Sequence, residues 1–303
     1  MAFTAKDVQA LREKTGCGMM DCKKALTECD GNMDAAIDFL REKGLASQAK
    51  KAGRIAAEGT VCAIVKGNVG AVLEMNAETD FVANGEPFKA LAEKITNIVI
   101  EQNPADLDAL LKCTKDGQTV EEMVQELFLA IRENIKIRRF QRFEGKMVSY
   151  IHSGGKIGVM VTFDTDLDAD NADFVAMGKN VAMQIAAMNP GYLDPASVPA
   201  EVLDKEKEIL IAQMKEDPKM ANKPDAVLGK IVEGKIGKYY KENCLVEQQY
   251  VIDGDLTVGK YVESVAKALG TDIKIASFVR FEKGEGIEKR VDDFASEVAN
   301  MVK

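Results

Sequence analysis

Thr119-Val-Glu-Glu-Met-Val124, followed by Ile135-Lys-Ile-Arg-Arg-Phe-Gln-Arg-Phe-Glu144, is written twice in this chain. Thr257-Val-Gly-Lys-Tyr-Val262 and Ile273-Lys-Ile-Ala-Ser-Phe-Val-Arg-Phe-Glu282 repeat both blocks at one constant offset of 138 residues. Upstream, Gly59-Thr-Val61 recurs as Gly145-Lys-Met147 and Gly70-Ala-Val72 as Gly158-Val-Met160, at offsets of 86 and 88. Helix starts and strands repeated at a kept spacing mean a duplicated α+β unit. The change of offset from 86 to 138 places a surplus of 52 residues inside the second copy.

Working outward from these blocks, Val61-Cys-Ala-Ile-Val65 and Ala71-Val-Leu-Glu-Met75 read as two strands joined by a hairpin turn at Lys66-Gly67-Asn68. Residues 88–100 carry Leu91, Ile95, Ile98 and Val99 at helical spacing. Thr119 caps another helix, and 135–143 read as a strand with Ile135, Ile137 and the later Phe residues on alternate positions. The second unit follows the same plan, with strands at 147–152 and 157–163, a helix over 172–188, a helix from Val258 and a strand from Ile273. Two related sheets with helices packed on them make an α+β core.

The surplus falls between Met188 and a further expected strand at 246–252. Val202, Leu203, Ile209 and Leu210 mark one helical arm; Leu228, Ile231, Val232, Ile236 and Tyr239 stripe the other. Pro218 and Pro224 bracket the turn between them, since proline fits neither helix interior. An antiparallel helical hairpin follows, whose seam needs a partner hairpin or the body of the protein to cover it. Ahead of the repeats, three short helices are expected. Thr4 with Asp7 starts the first, which stops at Thr15-Gly16; the second spans 19–26 and ends near Asp30-Gly31; Asn32 caps the third. Such a unit is marginal alone. Lys50-Lys51-Ala52-Gly53-Arg54 reads as the linker that follows.

The inventory excludes several chemistries. A formal charge of −9 opposes association with a phosphate backbone, so a protein is the expected partner and direct nucleic-acid binding is not. No apolar run reaches a membrane span, and the chain enters a helix start at Thr4 without an apolar leader. One histidine, His152, and six cysteines without a Cys-x-x-Cys pair leave no zinc set; Cys22 and Cys29 read as one buried helical face. Phosphate-cradling and nucleophile-elbow motifs are missing. Asp164, Asp166, Asp168 and Asp170 lack the glycine and terminal glutamate of a calcium loop and read as a solvated turn. No cofactor, metal or catalytic group is expected.

One stretch stands out, Asn76-Ala-Glu-Thr-Asp80-Phe81-Val82-Ala83, in the loop after the second strand. Phe81 there is either a core anchor or an exposed wedge for a partner; its residue type alone favours the anchor. Thr15-Gly-Cys-Gly-Met-Met-Asp-Cys-Lys-Lys-Ala-Leu26 and Glu78-Thr-Asp-Phe-Val-Ala83 together resemble the bacterial translation elongation factor Ts family. The resemblance continues through Tyr150-Ile-His152, Gly158-Val159 and Arg280-Phe-Glu-Lys-Gly-Glu-Gly-Ile-Glu288, so it covers the whole chain in order. The two N-terminal motifs are its specific part.

That resemblance implies guanine nucleotide exchange on elongation factor Tu in the cytoplasm, without covalent chemistry. It implies a ubiquitin-associated-like three-helix domain over 1–52 and core subdomains over 55–144 and over 145–195 with 242–285. It further implies a helical dimerisation arm over 196–241 and a C-terminal helical module over 286–303. Thr79, Asp80, Phe81 and Val82 match the motif that enters the GTPase near its magnesium and switch region. His152 matches a contact to a distal domain of the partner; Arg12, Met19 and Met20 match the face that meets the nucleotide-binding domain. The resemblance also implies homodimerisation through the arm, whose tip carries Pro218 to Pro224. The competing class is an adaptor that uses Met19 and Met20 as an apolar contact; such a protein has no need of the segment holding Asp80 and Phe81.

Overall fold

The computed structural model describes residues 3–216 and 225–288. The Pro218–Pro224 turn therefore lies outside the described residues, as does nearly all of the module expected over 286–303. Three helices come first, α1 (Ala5–Thr15), α2 (Met19–Glu28) and α3 (Met33–Lys51). Thr4 and Asp7 close a capping box on α1, and Asn32 caps α3 by accepting from Ala35 N. Such boxes satisfy two otherwise orphaned backbone donors. The expected linker begins later than its composition implied. Lys50 and Lys51 belong to α3, because Lys51 Nζ reaches the Arg132 carbonyl and holds the last turn.

The first repeat comprises β1 (Glu58–Lys66), β2 (Val69–Ala77), α4 (Asp80–Asn84), α5 (Glu86–Gln102), α6 (Leu107–Lys112), a minimal hairpin β3 (Thr114–Lys115) and β4 (Gln118–Thr119), α7 (Val120–Ile131) and β5 (Lys136–Glu144). Its main sheet is antiparallel in the order β1-β2-β5. The second repeat comprises β6 (Lys146–His152), β7 (Ile157–Thr165), α8 (Ala172–Met188), the hairpin arms α9 (Ala200–Glu216) and α10 (Asp225–Asn243), α11 (Val258–Leu269) and β8 (Ile273–Glu282). Its sheet has the matching order β6-β7-β8. The protein is an α+β fold.

Each central strand is covered on both faces, which is why the strands read as near-continuous apolar runs. On β2 the odd positions Ala71, Leu73 and Met75 meet Phe88, Ile95 and Val99 of α5 and Val120 and Val124 of α7. On β7 Val159, Val161 and Phe163 meet Phe174, Val181 and Ile185 of α8 and Val258 and Val262 of α11. The remaining faces of the two sheets close on each other through Val61, Val72, Phe143, Met147, Met160 and Phe281. The result is four layers, helices outside and two sheets within.

A β-bulge corrects the simple alternation expected for 135–143. Glu74 pairs with Arg139 and Met75 with Ile137, so Arg138 is the extra residue and the phase of the strand flips across it. Phe140 consequently packs with α5 and α7, whereas Phe143 faces the other sheet. The second copy has the same irregularity: Thr162 pairs with Ser277 and Phe163 with Ile275, leaving Ala276. In the first copy the bulge lets Arg138 and Arg139 grip the fully buried Glu74 at 3.0 and 2.6 Å. Gly284 N donates to the same carboxylate at 2.8 Å, and Arg139 lies over the Phe281 ring. The motif from Arg280 onward is thus the tether that fastens the second copy onto the first.

Two expectations about the insertion change. Residues 246–252 are not a strand: Leu245–Glu247 form a 3-10 turn, and Gln184 takes the backbone groups a ladder would need. Its side chain accepts from Val251 N at 2.9 Å and donates to Gln249 O at 3.1 Å. In the hairpin the seam is Leu210, Met214, Val232 and Ile236, flanked by Leu203, Leu228, Ile231 and Tyr240. Ile209 is exposed, and Tyr240 rather than Tyr239 joins the seam.

Candidate functional site

β2 ends at Ala77 and the chain turns at once into α4, a helix of five residues where the sequence reads as a loop. A helix this short does not stand by itself; its surroundings build it. Thr79 is its N-cap, with Oγ accepting from Val82 N at 3.3 Å. The Glu133 carboxylate accepts from Thr79 through both oxygens, from the backbone N at 3.0 Å and from Oγ at 2.7 Å. Glu78 accepts from Asn134 N at 2.7 Å and pairs with Arg54 at 3.3 Å. On the inner side Val82 and Ala83 are buried in the core under α5. Asp80 and Phe81 are left outside, and Phe81 is 87% exposed.

That arrangement corrects two expectations. Phe81 is not the core anchor that its residue type favoured; Val82 and Ala83 anchor the helix. Val82, expected among the contact residues, is only 7% exposed, with its side chain turned inward. An exposed Phe on a clamped turn keeps apolar area in water that would yield roughly 1.5–3 kcal/mol if a partner covered it.

The N-terminal face is fastened to the same region. Leu129 of α7 completes the core of the three helices beside Leu11, Leu26 and Leu40. Arg41 pairs with Glu122 at 3.2 Å, and Asp21 with Arg132 at 3.0 Å. Asp21 sits in the first turn of α2, next to Met19 and Met20, which are 44% and 73% exposed; Arg12 on α1 is exposed as well. Arg132 itself occupies the left-handed region at φ 66°, where the second copy has Gly270 at the same φ. That conformation costs an arginine about 1–2 kcal/mol that it does not cost a glycine. Arg132, Glu133 and Asn134 thus bind α2, Thr79 and Glu78 in succession. None of the three was singled out by sequence motif; the only signal was that this stretch departs from its own second copy.

His152 stands apart from this group, at the end of β6 in the second sheet. It is exposed, and its Nδ1 lies 3.0 Å from Tyr150 Oη. A turn with Ser153 at φ 48° and Gly154 at φ 63° presents it. Among the described residues no hydrogen bond or ion pair joins it to α4 or α2. Among the described residues no carboxylate is bonded to the ring to orient it as a base would require.

Burial pushes the thiols of Cys22, Cys62 and Cys113 up, and that of Cys244 to about 11, opposite to what a reactive cysteine needs. Among the described residues no group of three or more His, Cys, Asp and Glu is placed to hold a metal. No helix among them is long and apolar enough to cross a membrane.

The model of the family described as Elongation factor TS matches residues 78–285, which begin at the Glu78 that accepts from Asn134 N. The Elongation factor Ts of Syntrophotalea carbinolica is 48% identical over 308 residues, with 100% of both chains covered. That of Clostridium perfringens (strain SM101 / Type A) is 48% identical over 305 residues, with 99% of each covered. That of Magnetococcus marinus is 45% identical over 307 residues, covering 100% of this chain and 99% of the relative.

Proposed function

The chain belongs to the elongation factor Ts family, and from that premise we propose that it is a guanine nucleotide exchange factor for elongation factor Tu in protein synthesis. The observation that carries the reading is Phe81, 87% exposed beside Asp80 on a helix whose cap is clamped by Glu133. In this reading α4 enters the GTPase near its magnesium and switch region. The mechanism is thermodynamic linkage: if the factor and GDP each weaken the other's hold on the GTPase, they do so by the same ratio. Phe81 gains burial only in the partner conformation that opens a pocket for it, one with magnesium coordination disturbed. Asp80 supplies charge-assisted hydrogen bonds to the displaced partner backbone. No covalent step is required, and the factor accelerates release without selecting GTP.

The remaining assignments follow the same reading. Met19, Met20 and Arg12 form the second contact, on a unit read as ubiquitin-associated-like, over 1–52. His152 forms a third contact, from the subdomain over 145–195 and 242–285, and the first subdomain spans 55–144. The arm over 196–241 pairs with a second copy; an apolar groove of about 580 Å³ along Ile211, Leu228, Val232 and Ile236 supports this. Light scattering of a chain lacking 200–241 tests it, since an unchanged oligomeric state would exclude the arm as the interface. The protein works in the cytoplasm and needs neither nucleic acid nor membrane. The deciding experiment is release of a fluorescent GDP analogue from elongation factor Tu with and without this protein. A rate that does not rise with added protein would refute the exchange reading.

A further inference from the structure

Resting on that reading, we propose that Glu133 is a positioning residue for the Asp80-Phe81 helix, and that Arg132-Glu133-Asn134 holds this helix and the Met19-Met20 end of α2 on one frame. The geometry is specific. Both Glu133 oxygens are engaged by a single residue, Thr79, one by its backbone N–H and one by its hydroxyl. Because the hydroxyl proton goes to Glu133, the Thr79 oxygen is left to accept from Val82 N and cap the helix. The carboxylate therefore sets the rotamer of the cap, and the cap sets the first turn on which Asp80 and Phe81 stand. Hydrogen bonds to an ionised acceptor are the stronger kind.

The flanking residues stiffen the same joint. Asn134 N donates to Glu78, the residue before the cap, and Asn134 Nδ2 donates to Arg54 O at 2.7 Å. Arg132 reaches α2 through Asp21, and its carbonyl accepts from Lys51 at the end of α3. Three consecutive residues thus bind both candidate contact elements and the segment between them.

The second copy of the unit is an internal control. α7 and α11 are each 12 residues long and end on a residue in the left-handed conformation. At the offset of 138 Arg132 corresponds to Gly270 and Glu133 to Thr271; at the offset of 88 Thr79 corresponds to Leu167. After β7 there is no short helix, only a turn through Asp166 and Asp168 before α8 begins at Ala172. The copy that carries an exposed Phe on a short helix is the copy that carries the carboxylate, its hydroxyl partner and an arginine in a glycine conformation. Strain kept in one copy and relaxed in the other belongs to what that copy does.

The test uses the full chain with Glu133→Ala and Glu133→Gln, each alone and combined with Phe81→Ala. Stimulated release of the fluorescent GDP analogue from elongation factor Tu and the thermal midpoint are measured on every variant. Expected is a fall in maximal stimulated rate for Glu133→Ala on the order of ten- to a hundred-fold, the scale of a misplaced group, with the midpoint lowered only slightly and the protein still folded at the assay temperature. Glu133→Gln, which retains one oxygen acceptor, falls between. In the Phe81→Ala background the Glu133→Ala change loses most of its effect, which a merely structural residue would not do. Wild-type protein that fails to stimulate release would overturn the exchange reading and this proposal with it. Stimulation by wild type that Glu133→Ala matches, or an equal loss with and without Phe81, overturns the positioning role alone. Should the alanine variant lose its fold, the glutamine variant, which keeps the side chain's shape, decides by the same comparisons.

Discussion

Val61 of the first sheet lies against Gly158 of the second, so closely that a Cβ built on the glycine would overlap Val61 Cγ1. The relation recurs with the roles exchanged. Met147 is the repeat counterpart of Val61 and Gly70 that of Gly158, and a Cβ on Gly70 would stand 2.5 Å from Met147 Sδ. The other members of the seam are also counterparts, Val72 with Met160 and Phe143 with Phe281. Each copy thus offers the other the same surface, the geometry of an isologous dimer carried within one chain. Gly70 and Gly158 both lie where the sheets approach closely, which leaves no room for a Cβ at either.

Gly158→Ala is expected to destabilise the fold by about 1–3 kcal/mol, the usual cost of forcing extra volume into a packed seam. Neither glycine has positive φ, so the penalty is one of space, not of backbone conformation. Gly70→Ala should cost less, because Met147 is long and adaptable whereas Val61 is stiff at χ1. Urea denaturation of both variants checks this. A larger loss at Gly70 than at Gly158 would show that side-chain adaptability does not govern the seam.

Phe81→Ala and Val82→Ala should separate function from stability at adjacent positions. Truncating the exposed Phe81 is expected to leave the thermal midpoint in place and slow stimulated GDP release sharply. Truncating the buried Val82 removes two methyl groups from the core and should cost about 1–2 kcal/mol at roughly 0.8 kcal/mol each. A large fall in midpoint for Phe81→Ala, with activity lost in proportion, would return Phe81 to the role of anchor.

Cys244 gives the protein an alkaline liability. The folded thiol keeps its proton to about 11 because it is buried, whereas in the unfolded chain it ionises near its ordinary 9.0. Burial raises Tyr250 as well. Between those two values the unfolded state holds fewer protons than the folded one, so stability present below pH 9 declines as pH rises toward 11. Cys244→Ala should flatten part of that decline in denaturation midpoints taken across the window. An identical slope in the variant would assign the loss to other groups.

The duplication was legible because its carriers are cap and strand residues with fixed offsets, as in Thr119 with Thr257 and Phe143 with Phe281. The bulge at Arg138 was not, since an inserted residue leaves no mark on composition and the alternation simply changes phase. The strand expected at 246–252 failed for a tertiary reason: Gln184, far away in sequence, satisfies its backbone groups. At the site, the stretch around Asp80 reads as a loop, and inside and outside cannot be told apart from its residue types. Val82 and Phe81 are both apolar, and only the clamp at Thr79 decides which turns inward. Glu133 and Asn134 looked like ordinary residues before a strand. Their part becomes visible only when residues 54–56 apart in sequence are seen bonded.

His152→Ala is expected to weaken the encounter with elongation factor Tu without touching the exchange step. The ring is exposed at the end of β6, its Nδ1 is bonded to Tyr150 Oη, and among the described residues no carboxylate orients it for proton transfer. A contact made equally in the bound ground state and in the transition state raises the half-saturating concentration and leaves the maximal rate alone. Tyr150→Phe removes the hydroxyl that fixes the ring and should move half-saturation in the same direction by a smaller amount. Phe81→Ala, in contrast, should lower the maximal rate, so the two sites differ in kind as well as in size. Titrating each variant in the GDP-release assay distinguishes them. An unchanged half-saturation with a collapsed maximal rate for His152→Ala would put His152 in the exchange step itself.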